Sequence, residues 1–288
     1  MIPEQFDYVA AKTLEEAVAL LAKGPDDARV LAGGHSLIPA MKLRIAQPPA
    51  LVDIGRIKEL SYIREEGGQI RIGAATTHYQ IESSARLAEI CPLLPETASN
   101  IGDVQVRNRG TVGGSLAHCD PAADWPAAML ALDAEMVAVG AGGERVIKAE
   151  DFFVGLLTSA LEPGEILREI RVPLPQGKVG QAYKKMPQSA SGFAVVGVAV
   201  NVALDSNGIC QSARVGVTGV SGKAYRAHGV EAKLLGGPLT KDRIQAAAAL
   251  ATDGVDVNSD LSASEDYRRN LAVVYTARAL TAANSAAA

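Results

Sequence analysis

Apolar residues recur at helical spacing after Thr13: Leu14, Ala17, Val18 and Leu21 share a face, and Gly24 can end the run. Thr13 with Glu16 three residues on has the form of a capping box. Arg29-Val30-Leu31 then reads as a short strand. Leu37 to Arg44 reads as a helix with Pro39 tolerated in its first turn, and Ala50 to Ile54 as a strand after Pro48-Pro49. Tyr62-Ile63-Arg64 and Gln69 to Ile72 predict a hairpin turning at Glu65 to Gly68. Helices are expected within His78–Glu89 and Leu93–Asn100, followed by a strand-like Val104-Gln105-Val106. Asp120-Pro121 has the form of a helix start, Asp capping and Pro at the first helical position, with the helix running to Leu132. Met136 to Val139 and Glu144 to Ile147 predict a second hairpin around Gly140 to Gly143.

The pattern changes after Val172-Pro173-Leu174-Pro175-Gln176-Gly177, where two prolines within three residues interrupt any ladder. Phe193 to Leu204 is a β-branched, alanine-rich run. Asp205 to Gly208 is a turn, and Ile209 to Val220 returns as a strand. Helices follow near Gly229–Leu235, Asp242–Ala251 and Glu265–Ala283, and Ser285 to Ala288 is expected to fray. Strands followed by helices predict an α+β domain over 177–288, after a first domain over 1–176.

Composition narrows the function classes. Only 4% of the 288 residues are aromatic, so Ala, Val, Leu and Ile must build the cores. The net charge of −4, with no clustered basic face, argues against a nucleic-acid binder. The three cysteines, Cys91, Cys119 and Cys210, are far apart and form no CxxC, which excludes a disulfide framework and a cluster or zinc cage. A reducing cytoplasm is the expected compartment. The N-terminus has no basic region leading into an apolar one, and no apolar run approaches membrane-spanning length.

Two glycine-rich segments carry the main chemical signal: Ala32-Gly33-Gly34-His35-Ser36 and Thr111-Val112-Gly113-Gly114-Ser115. Each is read as following a short apolar strand and ends in a hydroxyl. Paired glycines allow backbone N–H groups to converge on phosphate oxygens, and two such nests would suit a pyrophosphate. Neither segment is a Walker or G-x-G-x-x-G motif. On spacing alone, two tight turns are the favoured account of them. Asp124, near the start of the next helix, is read either as a carboxylate for sugar hydroxyls or as a charge favoured by the helix dipole. His118-Cys119 is not read as a catalytic pair, because chain neighbours usually point apart. Lys184-Lys185 could reach a cofactor at the domain junction or form a solvated pair. Phe193 could cover a flat ring or pack in the core.

Taken with their flanks, these segments resemble a known family. Leu37-Ile38-Pro39 follows the first, Ile101 to Arg107 precedes the second, and Asp120-Pro121-Ala122-Ala123-Asp124 follows it. Together they are similar to the FAD loops of molybdenum hydroxylase flavoproteins. The likeness is to the medium subunits of carbon monoxide dehydrogenase and its relatives, and more distantly to the FAD domain of xanthine dehydrogenase, and it covers essentially the whole chain. It implies an α+β fold in which two subdomains, about 1–55 and 56–176, grip FAD, followed by a C-terminal domain with a small antiparallel sheet and helices. It also implies partners: a large subunit with the molybdenum cofactor and a small subunit with two [2Fe–2S] clusters, paired as a dimer of heterotrimers.

Carried over by position, the resemblance assigns Ala32, Gly33, Gly34, His35, Ser36, Leu37, Thr111, Gly113, Gly114 and Ser115 to the pyrophosphate and ribityl region. Ile101 and Leu167 fall beside the flavin ring, Asp124 is an acidic cofactor contact, and Lys185, in preference to Lys184, is the lysine near the flavin. Phe193 stands where the carbon monoxide enzymes have a tyrosine. Leu116-Ala117-His118-Cys119 departs from their Asn-containing stretch, which makes an aldehyde or nitrogen heterocycle at least as well supported a substrate as carbon monoxide.

The function implied is an electron-transfer subunit. The alternatives are a self-sufficient flavin oxidase, with His35 or His118 as a covalent flavin link, and a non-enzymatic assembly module. Gly33→Val or Gly114→Val should abolish FAD retention. A variant that purifies fully flavinylated would refute the loop assignment.

Overall fold

The computed structural model describes residues 1–287; of the tail expected to fray, Ala288 lies outside them and Ser285–Ala287 are helical. The first unit is a three-stranded parallel sheet of β1 (Asp7–Ala10), β2 (Arg29–Leu31) and β3 (Ala50–Asp53), ordered β1-β3-β2. Its crossovers are α1 (Leu14–Lys23) and α2 (Leu37–Lys42). Thr13 caps α1, its hydroxyl accepting from the Glu16 amide at 3.2 Å. The Glu16 carboxylate reaches one residue further than a capping box would, accepting from Lys12 N–H at 2.7 Å. Leu14, Ala17 and Val18 bury the apolar face against Val52 and Ile54.

The second unit is an antiparallel sheet ordered β4-β5-β10-β6-β7. Its first hairpin is β4 (Ile63–Glu66) and β5 (Gln69–Gly73). Between the hairpins the chain builds α3 (His78–Glu82), α4 (Ala85–Ile90), α5 (Leu93–Ser99), α6 (Val104–Arg109), α7 (Val112–His118) and α8 (Trp125–Ala131). The predicted 78–89 helix is broken at Ser83-Ser84, where Ser84 caps a new helix through its hydroxyl. The second hairpin is β6 (Glu135–Gly140) and β7 (Gly143–Lys148), followed by α9 (Ala149–Phe152) and the short pair β8 (Phe153–Gly155) and β9 (Thr158–Ser159). The strand β10 (Ile166–Pro173) then enters between the hairpins, Ile170 facing both Ile72 and Met136.

Two further sequence expectations fail. Val104-Gln105-Val106 is helical, because the Asp103 carboxylate accepts from the Val106 amide at 2.9 Å and caps α6. An apolar-polar-apolar triplet is too short to separate strand from helix. The helix expected from Asp120 starts only at Trp125. Asp120 instead accepts from the Ala122 amide at 2.8 Å in a local turn.

The third unit is an antiparallel sheet of β11 (Lys178–Pro187), β12 (Ala194–Leu204), β13 (Cys210–Thr218) and β14 (Tyr225–Arg226), in that order. Helices α10 (His228–Leu234), α11 (Lys241–Ala248) and α12 (Glu265–Ala287) follow. The β12 side chains are buried almost continuously, because both faces of this sheet are covered. On one side α12 lies so close that a Cβ on Gly180 would overlap the Ala283 carbonyl. On the other side lies α8 of the second unit, with Gly216 of β13 against the Ala127 carbonyl.

Every residue of α8 is buried, and its side chains share one core with Ile70, Ile72 and Met136. The segment before it is held by the third unit. The Ala194 amide donates to the Ala122 carbonyl at 3.0 Å, and the Gly219 amide to Pro121 at 2.7 Å. The Thr218 hydroxyl lies within 2.8 Å of the Ala123 carbonyl.

Gly216→Ala should therefore wedge β13 away from α8. Overpacking of this kind costs about 1–3 kcal/mol. A urea midpoint unchanged from the parent would show that the two units are not seated on this contact.

Candidate functional site

The first glycine segment leaves β2 after Leu31 and turns into α2. Gly34 sits at φ +76°, a left-handed conformation that glycine adopts without strain. Its carbonyl and that of Ser36 accept from Ile38 and Ala40, but among the described residues no protein acceptor faces the N–H groups of Gly33, Gly34, His35 or Ser36. His35 is exposed, Ser36 stands at the α2 N-cap with no side-chain cap bond, and Leu37, half-buried, begins the helix. A run of unengaged amides at a helix start is a donor set suited to anionic oxygens.

The second segment is built differently. It is not a loop but the first turn of α7, with Thr111 as N-cap. Its amides are taken: Val112 donates to the Thr76 carbonyl at 3.0 Å and Gly113 to Ala74 at 2.9 Å. Gly114 donates to the Thr111 hydroxyl at 3.1 Å and Ser115 to the Thr111 carbonyl at 3.0 Å. The paired glycines serve packing here rather than forming a nest. A Cβ on Gly113 would overlap Ala74, and one on Gly114 would stand 2.7 Å from the Thr111 hydroxyl. Gly114 is exposed and Ser115 half-buried.

Tertiary packing joins the two segments. Gly33 lies against the Arg109 carbonyl and the Gly110 Cα, where a Cβ has no room. Ala32 reaches to 3.9 Å from the Cβ direction of Gly114. Gly33→Val would thus force the segments apart, a more direct damage than blocking a ligand.

Behind the second segment stands His78. Its amide donates to the Gly110 carbonyl at 3.0 Å, and its Nδ1 accepts from the Trp125 indole at 3.1 Å. Burial pushes the imidazole down to about 4, with repulsion from His35 and Arg107 adding to the effect. The ring is therefore neutral, and the Trp125 bond leaves its proton on Nε2.

At the α8 end, Asp124 is 5% exposed and does not cap its helix. Its carboxylate accepts from the Tyr183 hydroxyl at 2.6 Å and from Lys185 Nζ at 2.9 Å. Burial pushes Asp124 up, while Lys185 and Tyr183 pull it back; the same burial and the carboxylate hold the Tyr183 phenol protonated. The Lys185 side chain is only 3% exposed and also donates to the Asn100 carbonyl at 2.8 Å, beside Ile101. Lys184 points the other way, to Glu96 at 2.8 Å. Strand alternation thus makes one of the two lysines a solvated pair member and buries the other.

Phe193 remains 43% exposed at the end of the 188–193 turn, so core packing does not explain it. That turn is pinned through Ala194 to Ala122, and a Cβ on Gly192 would stand 3.8 Å from Gly102. Ile101, Asp124, Lys185 and Phe193 therefore gather at one junction between the second and third units. Leu167 is buried on β10 in the core cluster against which Ile101 packs, and the neighbouring Arg168 carbonyl accepts from the Ala74 amide at 2.9 Å. Cys119 does not pair with His118: its thiol donates to the Thr158 carbonyl, and burial pushes it up to about 11.

Residues 4–175 match the FAD binding domain of molybdopterin dehydrogenases, and residues 181–283 match the C-terminal domain of the CO dehydrogenase flavoprotein. The chain belongs to the FAD-binding subunits of the molybdenum dehydrogenases. This flavoprotein subunit is 44% identical over 283 residues to the carbon monoxide dehydrogenase medium chain of Hydrogenophaga pseudoflava, covering 98% of each chain. It is 40% identical to the 6-hydroxypseudooxynicotine dehydrogenase complex subunit alpha of Paenarthrobacter nicotinovorans, covering 98% of this chain and 96% of the other. It superposes on a Hydrogenophaga pseudoflava carbon monoxide dehydrogenase structure, solved without the Mo-pyranopterin moiety, with a TM-score of 0.96 at 44% identity over 100% of both chains. The cofactor of the family is FAD, and the donor set of the first segment fits its pyrophosphate.

Tyr183, Asn100, His78 and Gly110 escape the sequence reading. Only Tyr183 has a signal there, two residues before Lys185 and so on the same strand face.

His78 generates a pH prediction. Its folded value lies below the unfolded 6.5. Between those values the unfolded chain binds the extra proton, so stability falls as pH drops from about 6.5 to 4, by up to about 3 kcal/mol. Urea titrations followed by Trp125, the one tryptophan, should show a smaller acid loss in His78→Gln. Equal losses would remove His78 from this role.

Proposed function

We propose that this subunit carries electrons from [2Fe–2S] clusters of a small partner subunit, through FAD, to an external acceptor. Substrate is oxidised at the molybdenum cofactor of a large subunit. The observation that carries the reading is the joining of the two glycine segments: unengaged amides of 33–36 on one side, and the exposed Gly114 edge of α7 across from Ala32 on the other. That cleft suits a pyrophosphate, while the Ile101, Asp124, Lys185 and Phe193 junction suits the flavin end.

FAD, when bound, supplies the redox chemistry. The chain's own work is to bind and orient it. Gly33, Gly34, His35 and Ser36 offer N–H donors, and Thr111 holds the α7 turn in register. Leu167, taken as an apolar residue beside the ring, is buried on β10 in the core that also holds Val112 and Leu116 of α7. Supporting the partner reading, relatives of near-equal length are called a medium chain and a complex subunit. We place the complex in the cytoplasm as a dimer of heterotrimers. No helix among the described residues is long and apolar enough to cross a membrane. The cofactor-binding part is taken as 1–176 and the C-terminal part as 177–288. An organic substrate, an aldehyde or a nitrogen heterocycle, fits as well as carbon monoxide.

Affinity purification of the chain from its native cells should yield a molybdenum-containing large subunit, an iron–sulfur small subunit and one FAD per chain, released on denaturation. A chain that purifies alone and whose flavin is reduced directly by substrate would make it a self-sufficient oxidase. A colourless chain that stays colourless after reconstitution with FAD would make it an assembly module.

A further inference from the structure

Tyr183 lies on β11, opposite Ala199 of β12, yet its hydroxyl reaches the Asp124 carboxylate of the second unit. The path is opened by Gly197. A Cβ there would overlap the Tyr183 hydroxyl and stand 3.1 Å from the ring carbon bearing it. The phenol thus occupies a slot that any larger residue at 197 would close. Tyr183 is fully buried, and its own amide donates to the Glu96 carboxylate at 2.8 Å, so the backbone and hydroxyl both lock onto the second unit.

Among the described residues the hydroxyl has one partner, an oxygen of Asp124. Lys185 Nζ spans from the same carboxylate to the Asn100 carbonyl, next to Ile101. One chain of contacts therefore runs from buried Gly197 and Tyr183 through Asp124 and Lys185 to the exposed Asn100. The last three border the flavin end on the reading proposed above, on which this inference rests.

We propose that Tyr183 is a positioning residue for the flavin. Its hydroxyl, admitted by Gly197, fixes the rotamer of Asp124, and Asp124 in turn sets where the Lys185 ammonium sits beside the ring. A carboxylate held by two donors in a buried place has one preferred orientation; with one donor removed it can follow the ammonium.

The test uses the full chain with its FAD. Tyr183→Phe keeps the ring and removes only the hydroxyl. The expected result is weaker FAD binding, about tenfold, the scale of losing one hydrogen bond to a charged group. A shifted flavin midpoint potential and an altered visible circular dichroism band should accompany it. Gly197→Ala, which keeps the hydroxyl but closes its slot, should reproduce the spectral change, and the double variant should add little to either. Tyr183→Phe with lowered unfolding stability but unchanged potential, visible spectrum and FAD affinity would overturn the proposal and leave Tyr183 a purely structural residue. If Tyr183→Phe does not fold, Gly197→Ala decides alone by the same three readouts. A parent chain that binds no FAD would instead refute the functional reading itself.

Discussion

The seven-residue helix from Trp125 to Ala131 has no solvent-facing side. A helix apolar all round requires cover in every direction. Here the core beneath the second sheet supplies one side and the C-terminal sheet the other, with Gly216 allowing β13 to touch the helix backbone. The turn leading into the helix is fixed by the same sheet through Thr218, Gly219 and Ala194. Asp124 ends that turn, so its position is decided by packing on both sides of a domain junction rather than by helix capping.

The same logic explains why the two glycine segments, alike in sequence, do different work. The first has unengaged amides and one left-handed glycine, and it presents donors. The second has spent its amides on Ala74, Thr76 and Thr111, and it presents a close-packed helical edge. Gly33 and Gly113 are both places where backbone must touch backbone. The cleft between the segments is therefore rigid on one side and hydrogen-bonding on the other, a fitting division for holding an anionic centre in one orientation.

Much of the secondary structure was legible, because long periodic runs leave little choice: α1, both hairpins of the second sheet, β12 and the C-terminal helices fall close to their expected spans. β1, α7, β10 and β11 carried no expectation; the other misses are local. Val104 to Val106 carried too few residues to reveal its period, and the Asp103 cap outweighed the strand pattern. Asp120-Pro121 looked like a helix start but serves a turn, because the C-terminal sheet holds the following carbonyls and delays the helix to Trp125. Phe193 was legible as an unusual aromatic, not as an exposed one.

Residue types and flanks alone determined the family resemblance, the expectation of FAD and the candidate positions, since those rest on local order along the chain. Distances between remote segments are absent from that order. Only the folded chain decided that Gly33 abuts Gly110, that Lys185 and not Lys184 turns inward, and that Tyr183 crosses over Gly197 to reach Asp124. Each of these depends on two surfaces meeting at van der Waals distance. The glycines are the clearest case: the sequence marked where side chains are missing, and only packing showed what fills the space.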